Sequence, residues 1–204
     1  MPGARRCWWC GDDPLYVRYH DEEWGRPVVD DDALFEKLCL EGFQAGLAWI
    51  TILRKRENFR SAFHGFEIER VARMSTRSID RLLRDDGIVR HRGKIESAVN
   101  NAKRARELQR EAGSLAGFLW QFAPRRPPAA PRSKAALMRT TTRPEAVRLA
   151  TDLKRRGWSF LGPTTVYAFM QSVGMVNDHL AGCPSRAACE RERGEVATAP
   201  PTRS

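Results

Sequence analysis

The stretch NDHLAGC, residues 177–183, follows an apolar helical run and precedes a polar, low-complexity end. Its His179 and Cys183 have the H-x3-C spacing at which an imidazole and a thiolate converge on one tetrahedral metal ion. Alone, the pair is better explained by a small buried thiol and an imidazole capping a helix end. Partners elsewhere in the chain decide between the two, and RRCWWCGDDPLYVRYHDEEWG, residues 5–25, offers Cys7, Cys10 and His20. Five candidates then compete for four places, either as Cys7 or Cys10 with His20, or as a Cys7–Cys10 knuckle, and spacing leaves both open. Either solution ties the two ends of the chain together, so the segments between them fold as one closed body.

A chain of 204 residues is long enough to bury a core without disulfides. Its five cysteines are an odd number, no apolar signal segment follows MPGARRCWWC, and the longest nearly apolar run, AGLAWITIL (45–53), is too short to span a bilayer. These features predict a soluble, cytoplasmic protein whose reduced thiols are free to bind metal. The net charge of +10 is uneven: residues 1–50 carry 5 Lys and Arg against 10 Asp and Glu, whereas residues 51–204 carry 30 against 15. The excess sits in RKRENFR (54–60), RHRGK (90–94), KRARELQR (103–110) and KRR (154–156), in the body and not in a tail. Such clusters are either ordinary solvated helix faces or a surface for a polyanion, and their recurrence favours nucleic acid.

Hydrophobic spacing predicts helices throughout and no convincing strand. Asp30 caps a segment carrying Leu34, Phe35, Leu38 and Cys39, and Leu47, Ile50 and Leu53 share one face of the next. Ser75 or Thr76 opens a short helix with Ile79, Leu82 and Leu83, which Gly87 is expected to end as a left-handed residue. A longer helix carries Ile95, Val99, Ala102 and Leu108, and Ser114 caps another with Leu115, Phe118, Leu119 and Phe122 inward. Pro144 and Pro163 suit the first turns of two more, one holding Val147, Ala150 and Leu153, the other Val166, Phe169, Met170 and Val173, stopped by Gly157 and Gly174. PRRPPAAPRSK (124–134) reads as a loop, and residues 184–204 read as a disordered tail.

Together RRCWW…DPLYVRYHDEEWG, LFEKLCLEGFQAGLAWITILRKRENFR, GIVRHRGKI and FLGPTTVYAFMQSVGMVNDHLAGC closely resemble the 3-methyladenine DNA glycosylase I family. The resemblance covers roughly residues 5–183 and weakens over 113–145. It implies an all-α fold of the helix-hairpin-helix superfamily, with one domain of two helical lobes over 5–183. It also implies one structural zinc ion joining the chain ends through Cys7, His20, His179 and Cys183. Cys10 falls where the family has no ligand, so it and Cys189 are expected bystanders. The implied base pocket is lined by Glu41, Trp49, Tyr16 and Tyr19, with Trp9 as a further wall. A hairpin at DDGIVRHRGK would direct the backbone at Gly87, with Arg90, Arg92 and Lys94, at a DNA phosphate, although it lacks the L-P-G-x-G form common in that superfamily. The implied partners are double-stranded alkylated DNA and the product 3-methyladenine, and a monomer is expected.

The activity implied is monofunctional: base flipping, then hydrolysis of the N-glycosidic bond, leaving an uncut abasic site. Methylation at N3 makes adenine cationic, so a carboxylate and electron-rich rings bind it better than the neutral base, and the same charge makes it a good leaving group. On sequence alone Glu41 opposes a helix dipole and Trp49 is an ordinary core residue; the resemblance is what gives them these roles. Asp152 and Asp178 are the downstream carboxylates, and Asp178 is expected to cap or to orient His179 or His20. The competing expectation is a zinc-stabilised protein that binds damaged DNA without chemistry. Catalytic zinc would need an open coordination position, against which four ligands argue.

Overall fold

In the computed structural model, which describes residues 6–198, every regular element is helical. Helix α1 (Pro14–Glu22) begins at Asp13, whose carboxylate accepts from the Leu15 and Tyr16 amides at 2.9 and 3.2 Å. The chain continues through α2 (Asp31–Gln44), α3 (Trp49–Ala62), α4 (Ile68–Ala72), α5 (Thr76–Leu82), α6 (Arg92–Ala112), α7 (Leu115–Leu119), α8 (Lys134–Arg139), α9 (Pro144–Arg155), α10 (Pro163–Ser172) and α11 (Arg186–Thr198). All of the residues from Leu34 to Phe43 are buried, so α2 has no solvent face over most of its length and occupies the centre of the core. Helices α3, α4, α6, α7 and α10 pack around it. Acids in its first turn cap other helices: Asp31 accepts from the Leu115 and Ala116 amides at 2.9 and 2.8 Å, and Asp32 from Ile68 at 2.8 Å.

The caps at Asp30, Ser75 and Ser114, and the prolines at 144 and 163, stand as expected. Three local expectations do not. The AGLAWITIL run divides at Gly46, whose φ of +87° follows the end of α2; Leu47 lies in the intervening loop, 38% exposed, and α3 starts only at Trp49. Gly87 is not left-handed, because Asp85 closes the turn after α5 through its own side chain, accepting from the Gly87 amide at 2.8 Å. Val147 faces outward on α9, where Ala146, Leu149, Ala150 and Leu153 take the core positions.

The largest correction concerns the tail. Residues 186–198 form α11, not a disordered segment; residues 199–204 of the expected tail, like residue 5 of the expected domain, lie outside the described residues. Polar composition conceals the docking because much of it runs through arginines that satisfy backbone carbonyls. Arg193 is buried and donates to the Met175 and Pro124 carbonyls at 3.0 and 2.7 Å, while Arg186 donates to those of Asn177 and His179, both at 2.8 Å. Cys189 is fully buried on the inner face of α11, and Glu192 pairs with Arg26. Arg193→Ala strands two carbonyls and is expected to lower stability by about 1–3 kcal/mol. In a thermal melt that is a fall of several degrees; an unchanged midpoint would mean that α11 does not dock in solution.

Candidate active site and metal cluster

Cys7, ahead of the short 3-10 turn Trp8–Cys10, meets His20 from the last turn of α1 and His179 and Cys183 from the segment after α10. All four are buried, with their ligand atoms within 4.8 Å of one another. Cys183 Sγ stands 3.4 Å from both His20 Nε2 and His179 Nδ1, and Cys7 Sγ 3.7 Å from His179 Nδ1. A tetrahedral ion with metal–sulfur bonds of about 2.3 Å and metal–nitrogen bonds of about 2.0–2.1 Å has S···N edges of roughly 3.5 Å, so the donors fit a metal. The remaining ring nitrogens fix the tautomers. His20 Nδ1 is 2.7 Å from Asp21 Oδ1, and His179 Nε2 donates to the Trp24 carbonyl at 3.0 Å, which turns His20 Nε2 and His179 Nδ1 inward as lone-pair donors.

Hydrogen bonding to Cys7, and then to the two imidazoles, pulls the Cys183 thiol far below its usual range; the bond to Cys183, together with burial, pushes Cys7 far above it. A divalent cation held by the four would allow both sulfurs to ionise. Burial works against a charged His20, but hydrogen bonds to Cys183 and Asp21 outweigh it and raise the pKa of the ring. Cys10 is buried outside the cluster with its thiol on the Cys7 carbonyl at 3.1 Å, so geometry selects Cys7 and His20. Close packing explains the glycine of DEEWG: Gly25 has φ +82°, and a Cβ there would lie 3.1 Å from His179 Nε2.

Asp178 orients neither imidazole. It points the other way along the loop, where it accepts from Tyr167 Oη, from Gln171 Nε2 at 2.8 Å and from Arg143 Nη2 at 3.2 Å. Asp152 pairs with Arg155 and Arg156.

Beside the cluster lies a cavity of about 510 Å³ that Trp8, Trp9, Tyr16, Tyr19, Trp24 and Trp49 line together with Glu41, Gln44, residues of α8 and a face of α10. Trp9 is the hinge of the aromatic wall, with ring centroids 5.1 Å from Tyr16 and 5.0 Å from Trp24, while Tyr19 and Trp49 are 5.5 Å apart. The wall also touches the Cys/His cluster: Trp9 is 5.1 Å from the His20 ring and Trp24 4.6 Å from that of His179. A wider depression of about 610 Å³, lined by Ser75, Arg77, Ser78, Asp80, Arg81 and Arg84, has neither aromatic walls nor a buried carboxyl.

Glu41 is 5% exposed and makes no hydrogen bond or ion pair with any described residue. Burial pushes its pKa up to about 8, against which Lys37, one turn back on α2, works weakly. Trp49 Nε1 is likewise buried without a partner. Two polar groups thus line the cavity with unmet hydrogen-bonding capacity, which is costly unless a ligand or water satisfies it. Burial also drives Tyr16 up to about 12 and Tyr19 well above its usual value, so both phenols are protonated donors.

The residues expected to face phosphate are less uniform. Arg90 is exposed and its side chain has no partner among the described residues. Arg92 is in surface ion pairs with Asp80 and Glu96. Lys94 turns inward, donating to the Phe43 and Ala45 carbonyls at 2.9 and 2.7 Å, and so caps the end of α2 that carries Glu41. The Gly87 amide is taken by Asp85. His91 caps α6, accepting from the Lys94 amide. Sequence reading missed Trp24, Gln44, Tyr167 and Gln171 as cavity residues. A signal existed for the last two, because Thr164, Tyr167 and Gln171 recur at helical spacing opposite the apolar face of α10.

A profile described as methyladenine glycosylase matches residues 9–187. DNA-3-methyladenine glycosylase 1 of Escherichia coli is 44% identical over 178 residues, spanning 87% of this chain and 95% of that protein. A crystal structure of 3-methyladenine DNA glycosylase I superposes with a TM-score of 0.83 at 46% identity, covering 88% of this chain and 98% of the other. A variant of 3-methyladenine DNA glycosylase I solved in complex with 3-methyladenine superposes with a TM-score of 0.82 at 41% identity, over 88% and 96% of the two chains. Similarity of this degree, sustained over nearly the whole length of each relative, makes this chain a member of the methyladenine glycosylase family.

Proposed function

We propose that this protein excises 3-methyladenine from alkylated double-stranded DNA by hydrolysing its N-glycosidic bond. The observation that carries the reading is Glu41, a buried carboxyl without a protein partner, at an aromatic cavity of a size to take one base. A cationic purine turned out of the stack enters among Trp49, Tyr16, Tyr19 and Trp9, and its charge lowers the pKa of Glu41, whose proton is lost to solvent. The carboxylate then holds the base and faces the cationic sugar that develops as the bond breaks. The bonding pair leaves with the base, which departs neutral; water adds to the sugar, and its proton is released to solvent. Glu41 is the acid in the cavity lining, and Asp178 and Asp152 are engaged elsewhere, so bond breaking rests chiefly on the leaving group's own charge. No lysine lines the cavity, which fits a monofunctional enzyme.

Cys7, His20, His179 and Cys183 are assigned to a zinc ion, for which a Cys2His2 donor set is apt. Four protein ligands leave no open position, so the ion's contribution is structural. Arg90 and Arg92, in a helix-hairpin-helix formed by α5, residues 83–91 and α6, are assigned to DNA phosphate. Mass spectrometry of methylated duplex DNA treated with the protein is expected to show free 3-methyladenine, with the strand intact until heat or alkali is applied. No release by folded, metal-loaded protein would favour a damage-binding module, and spontaneous strand cleavage would overturn the monofunctional mechanism.

A further inference from the structure

We propose that Gln171 is a specificity-determining residue that selects adenine over guanine among N3-methylated purines, through a single acceptor fixed by Asp178. The inference rests on reading the aromatic cavity as the base pocket. Charge cannot make this choice. Both 3-methyladenine and 3-methylguanine are cationic in DNA, so the rings attract both. Glu41, ionised when a cationic base enters, answers the charge that the two bases share. The two bases differ at C2, where guanine alone carries an amino group, and at C6, which bears an amino donor in adenine and a carbonyl acceptor in guanine. The C6 group is the one whose hydrogen-bonding sense is reversed.

Gln171 lines the cavity from α10, and Nε2 of its amide donates to Asp178 Oδ2 at 2.8 Å. Only the NH2 end of an amide can face a carboxylate, so Oε1 is the end left over, and it has no partner among the described residues. Flipping the amide would set Oε1 against the Asp178 carboxylate. Asp178 cannot turn aside: it is 1% exposed, the same Oδ2 accepts from Tyr167 Oη, and Oδ1 is held by Arg143 at 3.2 Å. Arg143 Nε also donates to Tyr167 Oη at 3.2 Å, closing the network. A glutamine that could otherwise present either end is thereby restricted to an acceptor. It receives a hydrogen bond from the amino group of 3-methyladenine and repels the carbonyl of 3-methylguanine.

Duplex DNA methylated to contain both lesions allows both released bases to be quantified in one reaction, so their ratio is independent of how much protein is folded. Gln171→Met keeps the length of the side chain but removes the acceptor, and is expected to lower the 3-methyladenine to 3-methylguanine ratio roughly tenfold or more. Tyr167→Phe perturbs the same Asp178 network but keeps Oε1 in place, and is expected to retain the ratio. An unchanged ratio in Gln171→Met with 3-methyladenine still released, or an equal collapse in Tyr167→Phe, overturns the proposal. Failure of the parent to release 3-methyladenine overturns instead the base-pocket reading beneath it. Should Gln171→Met not fold, binding of the two free bases to Gln171→Asn, read by tryptophan quenching, makes the same comparison: retained preference overturns the proposal and lost preference supports it.

Discussion

Glu41→Gln is expected to lose release of 3-methyladenine by about a hundredfold or more and yet to melt above the parent protein at pH 8. The two effects share one cause. Burial raises the Glu41 pKa from 4.5 to about 8, so across that window the folded protein binds a proton that the unfolded chain has lost. The stability associated with the group is fully present below pH 4.5 and is lost as pH rises through 8. Gln imitates the protonated form and has no proton to lose. Relative to the parent, the variant gains on the order of 3 kcal/mol between pH 5 and pH 8, or roughly 5–10 °C of melting temperature for a chain of this size. Activity moves the other way, because a neutral amide cannot hold a cationic base or oppose the charge on the sugar. In the parent, kcat/KM is expected to rise with pH towards 8 as Glu41 ionises in the free enzyme, roughly tenfold or more from pH 6. Calorimetry of both proteins at pH 5 and pH 8, beside base release, tests the pair. Parallel melting curves with full activity in the variant would remove Glu41 from the site.

How far the sequence foretold this arrangement differs between elements. Helix caps were legible because a cap is a local event: Asp30, Ser75 and Ser114 each satisfy the amide three residues on. Gly87 was misread for the opposite reason, since a left-handed glycine and an Asx turn at Asp85 close the same loop and spacing cannot tell them apart. Local spacing alone found five candidates for the metal cluster, and the family resemblance picked Cys7, His20, His179 and Cys183 from them. The fold brings those four together and supplies the physical reason, setting the Cys10 thiol on a backbone carbonyl while Cys7 faces His179. Lys94 was a basic residue in a basic stretch, and nothing local announces that the end of α2 lies within its reach. Helix α11 was hidden most completely, because its anchoring arginines register in a sequence as solvent-facing charge.

Cys183→Ser is expected to lower stability by about 3 kcal/mol or more, a fall of roughly 10 °C, with a much smaller change in base release per folded molecule measured well below the melting point. Cys183 is the thiol that the cluster favours as thiolate, and it stands 3.4 Å from both imidazoles, so its loss removes the proposed ligand best prepared to ionise. A chelator should reproduce the fall in the parent and have little further effect on the variant. The asymmetry between stability and chemistry follows from where the cluster sits. It fastens residues 7 and 20 to residues 179 and 183, and the Trp9 and Trp24 rings that rest on its histidines are also walls of the cavity. Loosening it therefore costs the whole fold first and the aromatic wall second, whereas Glu41 stands on α2, whose end is held independently by Lys94. If chelation instead abolished base release at a temperature where the protein stays folded, the metal would have to act on the pocket directly, and its role as a clasp would be wrong.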